Sequence, residues 1–99
     1  MPFEIDVTQE AELDLDTIRP YHRNQILDGI ETHLRHTPTR ESRSRIKSLR
    51  LLDSPAYRLR IGDFRVYYDV DEATRTVTVL RVLSKEVSLS YLAEMEKDL

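Results

Sequence analysis

Phe3, Ile5 and Val7 alternate with Glu4 and Asp6, the period of two that predicts a half-buried strand. Thr8 follows as a helix cap, with Glu10 and Glu12 in the first turn, where the helix dipole favours acids. Ala11, Leu15 and Ile18 then recur at helical spacing and give that helix its buried stripe. Pro20 suits the first turn of a second helix, predicted over residues 20–36, with Ile26, Leu27, Ile30 and Leu34 toward the core. Thr37-Pro38-Thr39 ends it, because a residue before proline avoids the helical region. Residues 46–51, 57–61, 64–70 and 76–84 read as four more strands. Asp53-Ser54-Pro55, the two-residue loop Gly62-Asp63 and a longer turn around residues 71–74 separate them. Residues 87–99 close the pattern as a helix, with Leu89, Leu92 and Leu99 spaced for one face. The order β-α-α-β-β-β-β-α predicts an α+β fold in a single domain over residues 1–99. An N-terminal helical hairpin packs on a mainly antiparallel sheet of about four to five strands, and a C-terminal helix completes it.

Composition narrows the classes. A chain of 99 residues without cysteine offers no disulfide framework, no thiolate nucleophile and no cysteine-based zinc site. No apolar run approaches membrane-spanning length and no signal peptide opens the chain, so no membrane role and a cytoplasmic location are expected. The net charge of −3 hides a division: residues 1–34 carry eight acids and two bases, whereas residues 35–65 carry nine bases and three acids. Twelve of the fifteen bases are arginines, the side chain suited to bidentate phosphate contacts. Arg40, Arg43 and Arg45 fall between regular elements and read as a solvated basic loop.

The stretch Tyr57-Arg58-Leu59-Arg60-Ile61-Gly62-Asp63-Phe64-Arg65-Val66-Tyr67-Tyr68 is the most informative. With Gly62-Asp63 as the whole loop, Arg60 faces Arg65 and Arg58 faces Tyr67. The apolar residues gather on one face, and Arg58, Arg60, Arg65 and Tyr67 on the other. Like charges directly opposite on a sheet are destabilising. An external anion, phosphate or acidic peptide, is their natural partner; the alternative is three exposed arginines paired with Asp69 or with a partner's acids. His33 and His36 sit three apart on the second helix without a third ligand, so surface histidines are favoured over a metal pair, and His22 reads as structural. Asp14, Asp16 and Asp28 do not share one helical face and read as a solvated acidic surface. No cofactor or metal is expected.

This hairpin, together with Arg81-Val82-Leu83-Ser84-Lys85 in the last strand, resembles the RelE/ParE superfamily of bacterial type II toxin–antitoxin toxins, over nearly the whole chain. The resemblance implies the toxin of such a pair, with a cognate antitoxin laying an acidic or amphipathic segment over the arginine face or displacing the tail helix. RelE-like members cut mRNA in the ribosomal A site, which would make this chain a metal-independent endoribonuclease with ribosome and mRNA as partners. Carried over by position, the family's site falls on Arg58, Arg60, Arg65, Lys85 and Tyr91. The arginines would neutralise phosphate charge, Tyr91 would serve as base if nearby cations depress its pKa, and Lys85 or an arginine would donate the proton. Leu83-Ser84-Lys85 stands where the family commonly has Gly, then His or Lys, then Arg. A ParE-like inhibitor of DNA gyrase, and a silent relative that only binds its antitoxin, are the alternatives the resemblance leaves open.

Overall fold

A computed structural model of the chain describes residues 1–97. In order it forms β1 (Glu4–Val7), α1 (Gln9–Asp16), α2 (Pro20–Leu34), β2 (Ile46–Ser48), β3 (Tyr57–Ile61), β4 (Phe64–Asp71), β5 (Thr76–Ser84) and α3 (Lys85–Lys97). The five strands make one sheet in the order β1-β5-β4-β3-β2. Only the β1–β5 pair is parallel; the other neighbours are antiparallel. This is the α+β arrangement that the alternation predicts.

The core lies between one sheet face and the α1–α2 hairpin. Leu59, Val66, Tyr68, Val77, Val79 and Val82 from the sheet meet Ala11, Leu15, Ile26, Ile30 and Leu34 from the helices. α2 comes so close to β3 that a Cβ at Gly29 would stand 2.5 Å from Ile61 Cδ1. Thr8 caps α1 by accepting from Ala11 N–H at 3.2 Å, while its hydroxyl donates to the Leu80 carbonyl at 3.0 Å. Arg23 donates to the carbonyls of Leu15 and Ile18 and so satisfies the end of α1 from the next helix. Tyr68 donates to the Pro38 carbonyl at 2.6 Å, tying the post-helix loop to the core.

Four local expectations change. Leu27 is 40% exposed instead of core-facing, because Ile26 and Ile30 already fill the stripe of α2. That helix stops at Leu34, before Thr37-Pro38. β2 stops at Ser48, since Leu52 N–H turns back to the Leu49 carbonyl and residues 49–52 leave the sheet. α3 starts at Lys85, and its one buried residue is Ser88, whereas Leu89 is 70% exposed. Leu99 lies outside the described residues.

A β-bulge between Tyr67 and Tyr68 of β4 shapes β5. Val66 opposes Val82 and Tyr67 opposes Arg81, but Tyr68 opposes Val79, leaving Leu80 as the extra residue. The parity of β5 therefore reverses there: Val77 and Val79 face the core below the bulge, and Val82 faces it above. Arg81 is thereby turned to the face away from α1 and α2, the face that α3 crosses.

Candidate functional site

The hairpin has the register that alternation predicts: Tyr57 opposite Tyr68, Arg58 opposite Tyr67, Leu59 opposite Val66, Arg60 opposite Arg65 and Ile61 opposite Phe64. Gly62 takes the positive φ of 57° that the tight loop requires. With β2 and β5 added, two cross-strand rows appear on the outer face. One runs Lys47, Arg58, Tyr67, Arg81; the next holds Arg60, Arg65 and Leu83.

Arg58, Arg60 and Arg65 are brought together. Arg65 has its pKa lowered, first by burial and then by the charges of Arg58 and Arg60. Its Nη1 donates to the carbonyls of Gly62 and Phe64, both at 3.0 Å. None of the three has a carboxylate within ion-pair distance among the described residues. Arg58 Nε is shut away from solvent with no acceptor. Asp69, the acid considered as their partner, instead accepts from Ser54 Oγ at 2.5 Å and Ala56 N–H at 2.7 Å. Lys85 is exposed at the first residue of α3, and its backbone N–H donates to the Asp63 carbonyl at 2.8 Å.

Tyr67 shares the arginines' face but is fully buried, because α3 lies over it. Its hydroxyl hydrogen-bonds the buried Ser88 hydroxyl, and its ring lies 4.9 Å from that of Tyr91. Tyr91 is not with the arginines. Its ring sits 5.7 Å from the Arg81 guanidinium, and it lines a cleft with Arg81, Glu10 and Met95. Leu92, the next residue of α3, lines a different cleft with Arg58. The helix is therefore a ridge, with the arginines on one flank and Tyr91 on the other. Nor is the Tyr91 pKa depressed: burial raises it, outweighing the opposing pull of Arg81. The charge of Arg81 is already answered by Asp14, whose carboxylate takes Nε at 2.8 Å and Nη2 at 3.0 Å.

Asp14 was missed in the sequence, where it reads as one of several solvated acids. β1 ends opposite Val79, so the edge of β5 beyond that point has no strand beside it. The Asp14 carboxylate fills the gap, accepting from Val82 N–H at 2.9 Å as well as from Arg81. The bulge turns Arg81 out of the core toward this edge, and nothing in the spacing of Asp14 along its helix signals the pairing. His22 packs its ring 5.5 Å from that of Phe64, beside the hairpin loop. Among the described residues no group of three His, Cys, Asp or Glu side chains could hold a metal, and no helix is long and apolar enough to cross a membrane.

Residues 5–88 match the family model described as the ParE toxin of type II toxin–antitoxin systems. The chain belongs to the RelE/ParE family of type II toxins. Its fold is similar to the toxin in the RelBE2 toxin–antitoxin complex from Mycobacterium tuberculosis, at 26% identity and a TM-score of 0.69 over 85% of this chain and 99% of that one. The archaeal RelE–RelB complex from Pyrococcus horikoshii OT3 contains a similar fold at 19% identity and a TM-score of 0.70, over 86% and 97% of the two chains. A mutant of E. coli toxin RelE in the free state is similar over 100% and 99%, at 19% identity and a TM-score of 0.62. None of the curated proteins matches the sequence significantly. Within this toxin family the match to residues 5–88 includes all three hairpin arginines and Lys85 but stops short of Tyr91.

Proposed function

We propose that this toxin is a ribosome-dependent endoribonuclease that cuts mRNA and is held in check by a cognate antitoxin. The observation that carries the reading is the cluster of Arg58, Arg60 and Arg65 on one sheet face without a carboxylate partner among the described residues. Such a cluster costs stability when empty and is relieved by a phosphate. In the proposed reaction the 2′-oxygen attacks the neighbouring phosphorus, the bond from phosphorus to the 5′-oxygen breaks, and a cyclic phosphate and a free 5′-hydroxyl result. The arginines neutralise the charge that builds on the phosphoryl oxygens, usually the largest electrostatic contribution. Lys85 protonates the departing 5′-oxygen. Tyr91 takes the 2′-hydroxyl proton once α3 has carried it to the arginines; where it now stands it is half-buried and burial holds its pKa above the ordinary value. With so few acid–base groups, orientation of the mRNA by the ribosome supplies much of the rate. The antitoxin reading draws on the solved complexes of similar toxins with RelB partners.

The match to a ParE model favours a second reading, inhibition of DNA gyrase, in which the same face docks on protein and Tyr91 has no role. Mapping of mRNA 3′-ends in a bacterial translation extract tests the first. Cuts at the A-site codon that require ribosomes and fall at least 100-fold in Arg65→Ala are expected, with a further loss in Tyr91→Phe. Cutting by a folded Arg65→Ala protein overturns the site. Uninterrupted translation together with inhibited supercoiling transfers the assignment to gyrase, and growth that tolerates the free protein makes it a silent antitoxin-binding relative.

A further inference from the structure

Beside the arginines, between α3 and the turn that follows β2, lies a cleft of about 400 Å³. Its walls are apolar: Leu49, Leu51 and Leu52 from the turn and Leu92 from the helix. Leu51 is 71% exposed, and nothing among the described residues covers it. Arg58 belongs to both places, lining this cleft while standing beside Arg60 and Arg65 in the arginine cluster. Arg50 and Ser48 lie at the border, and Glu96 closes the side nearest the end of α3.

We propose that this leucine cleft receives one unstacked nucleobase of the RNA whose phosphate the arginines hold. The inference rests on the nuclease reading and names the part of the substrate that reading leaves unplaced. A nucleobase has apolar faces and a polar edge. Leucine side chains suit the faces, the planar Arg50 guanidinium offers a stacking surface, and Ser48 and Glu96 offer hydrogen-bonding groups for the edge. The size agrees, since 400 Å³ falls at the small-molecule end of binding sites and not at that of a protein interface. Charge agrees as well: Arg50 is met by Glu41 at 3.7 Å, but Lys47 and Arg58 have no carboxylate within ion-pair distance among the described residues and border the cleft with the one lining carboxylate of Glu96, so the occupant carries negative charge next to its apolar part. Arg58 is the joint that requires base and phosphate to be neighbours on one nucleotide.

The test uses the full chain with its leucine methyls and arginine side chains labelled for NMR. It is titrated in turn with inorganic phosphate, ribose 5-phosphate and adenosine 5′-monophosphate. All three are expected to move the Arg58, Arg60 and Arg65 signals, and only the nucleotide to move the methyls of Leu49, Leu51, Leu52 and Leu92. The nucleotide is expected to bind at least ten-fold tighter than ribose 5-phosphate. Leu51→Ser, at an exposed position that folding tolerates, is expected to reduce that preference at least three-fold. Equal binding of nucleotide and sugar phosphate with still leucine methyls overturns the cleft and leaves the phosphate site standing. Arginine signals that ignore every probe overturn the nuclease reading beneath it. An acidic leucine-containing peptide that moves those methyls where the nucleotide does not gives the cleft to a protein partner and overturns the proposal.

Discussion

Arg81 and Arg58 flank the same tyrosine in one cross-strand row, yet their surroundings are opposite. Arg81 is held in a two-point contact by Asp14, and that hydrogen bond raises its pKa. Arg58 has no carboxylate partner among the described residues and neighbours two more arginines, one of which, Arg65, has its pKa lowered by burial and then by the charges of the other two. An arginine that closes a sheet edge and an arginine that awaits an anion are indistinguishable by residue type. They are told apart by what stands within three ångströms.

The contrast can be broken at either end. Asp14→Ala removes the acceptor of both Arg81 and the Val82 N–H, and a loss of about 2 kcal/mol in urea unfolding is expected. Asp14→Asn, which keeps an oxygen for Val82, is expected to lose less. A change below about 0.5 kcal/mol would mean that the pair contributes nothing to closing the edge.

How much of this was legible follows the same division. The hairpin register could be read residue by residue, because strict alternation on both sides of a two-residue loop admits one pairing. Its arginine face was legible for the same reason. The cover over that face was not: helix periodicity weighs apolar side chains, and α3 instead docks through Ser88 on the Tyr67 hydroxyl while Val87 and Leu89 stay exposed. The separation of Tyr91 from the arginines follows from that docking, so spacing along the chain could not show it. The switch of Val77, Val79 and Val82 from odd to even positions was the one available sign of the bulge.

The docking of α3 gives the next effect in size. Tyr67→Phe strands the buried Ser88 hydroxyl and is expected to cost about 1 kcal/mol. The double change with Ser88→Ala should cost less than the sum of the two single changes. Additive losses would show that the two hydroxyls do not depend on each other. On the unpaired side the sign reverses. Arg60→Ala relieves the contact with Arg65 and is expected to stabilise the fold by a few tenths of a kcal/mol at low salt. The gain should vanish in about 1 M salt, where screening acts over roughly 3 Å; destabilisation at low salt would reveal a partner for Arg60.

The smallest effect is silent at neutral pH. Burial raises the pKa of both Tyr91 and Tyr68, so the fold favours the protonated phenols. Stability from this source is complete below the ordinary value of 10.0 and declines as pH rises past it, when the unfolded chain ionises first. Ultraviolet titration of the tyrosines alongside unfolding at high pH checks the sign. A tyrosinate forming below pH 9 that disappears in Tyr91→Phe would restore the cation-depressed base that the sequence suggests.

The bond from Lys85 N–H to the Asp63 carbonyl fastens the first residue of α3 to the tip of the hairpin. The thirteen residues of that helix span about 20 Å. Pinned at one end, the helix behaves as a lever arm: a tilt of about 10° displaces its far end by about 3 Å and its origin hardly at all. Leu92 and Glu96 line one cleft and Tyr91 and Met95 the other, so a tilt of that kind would open one cleft as it narrowed the other.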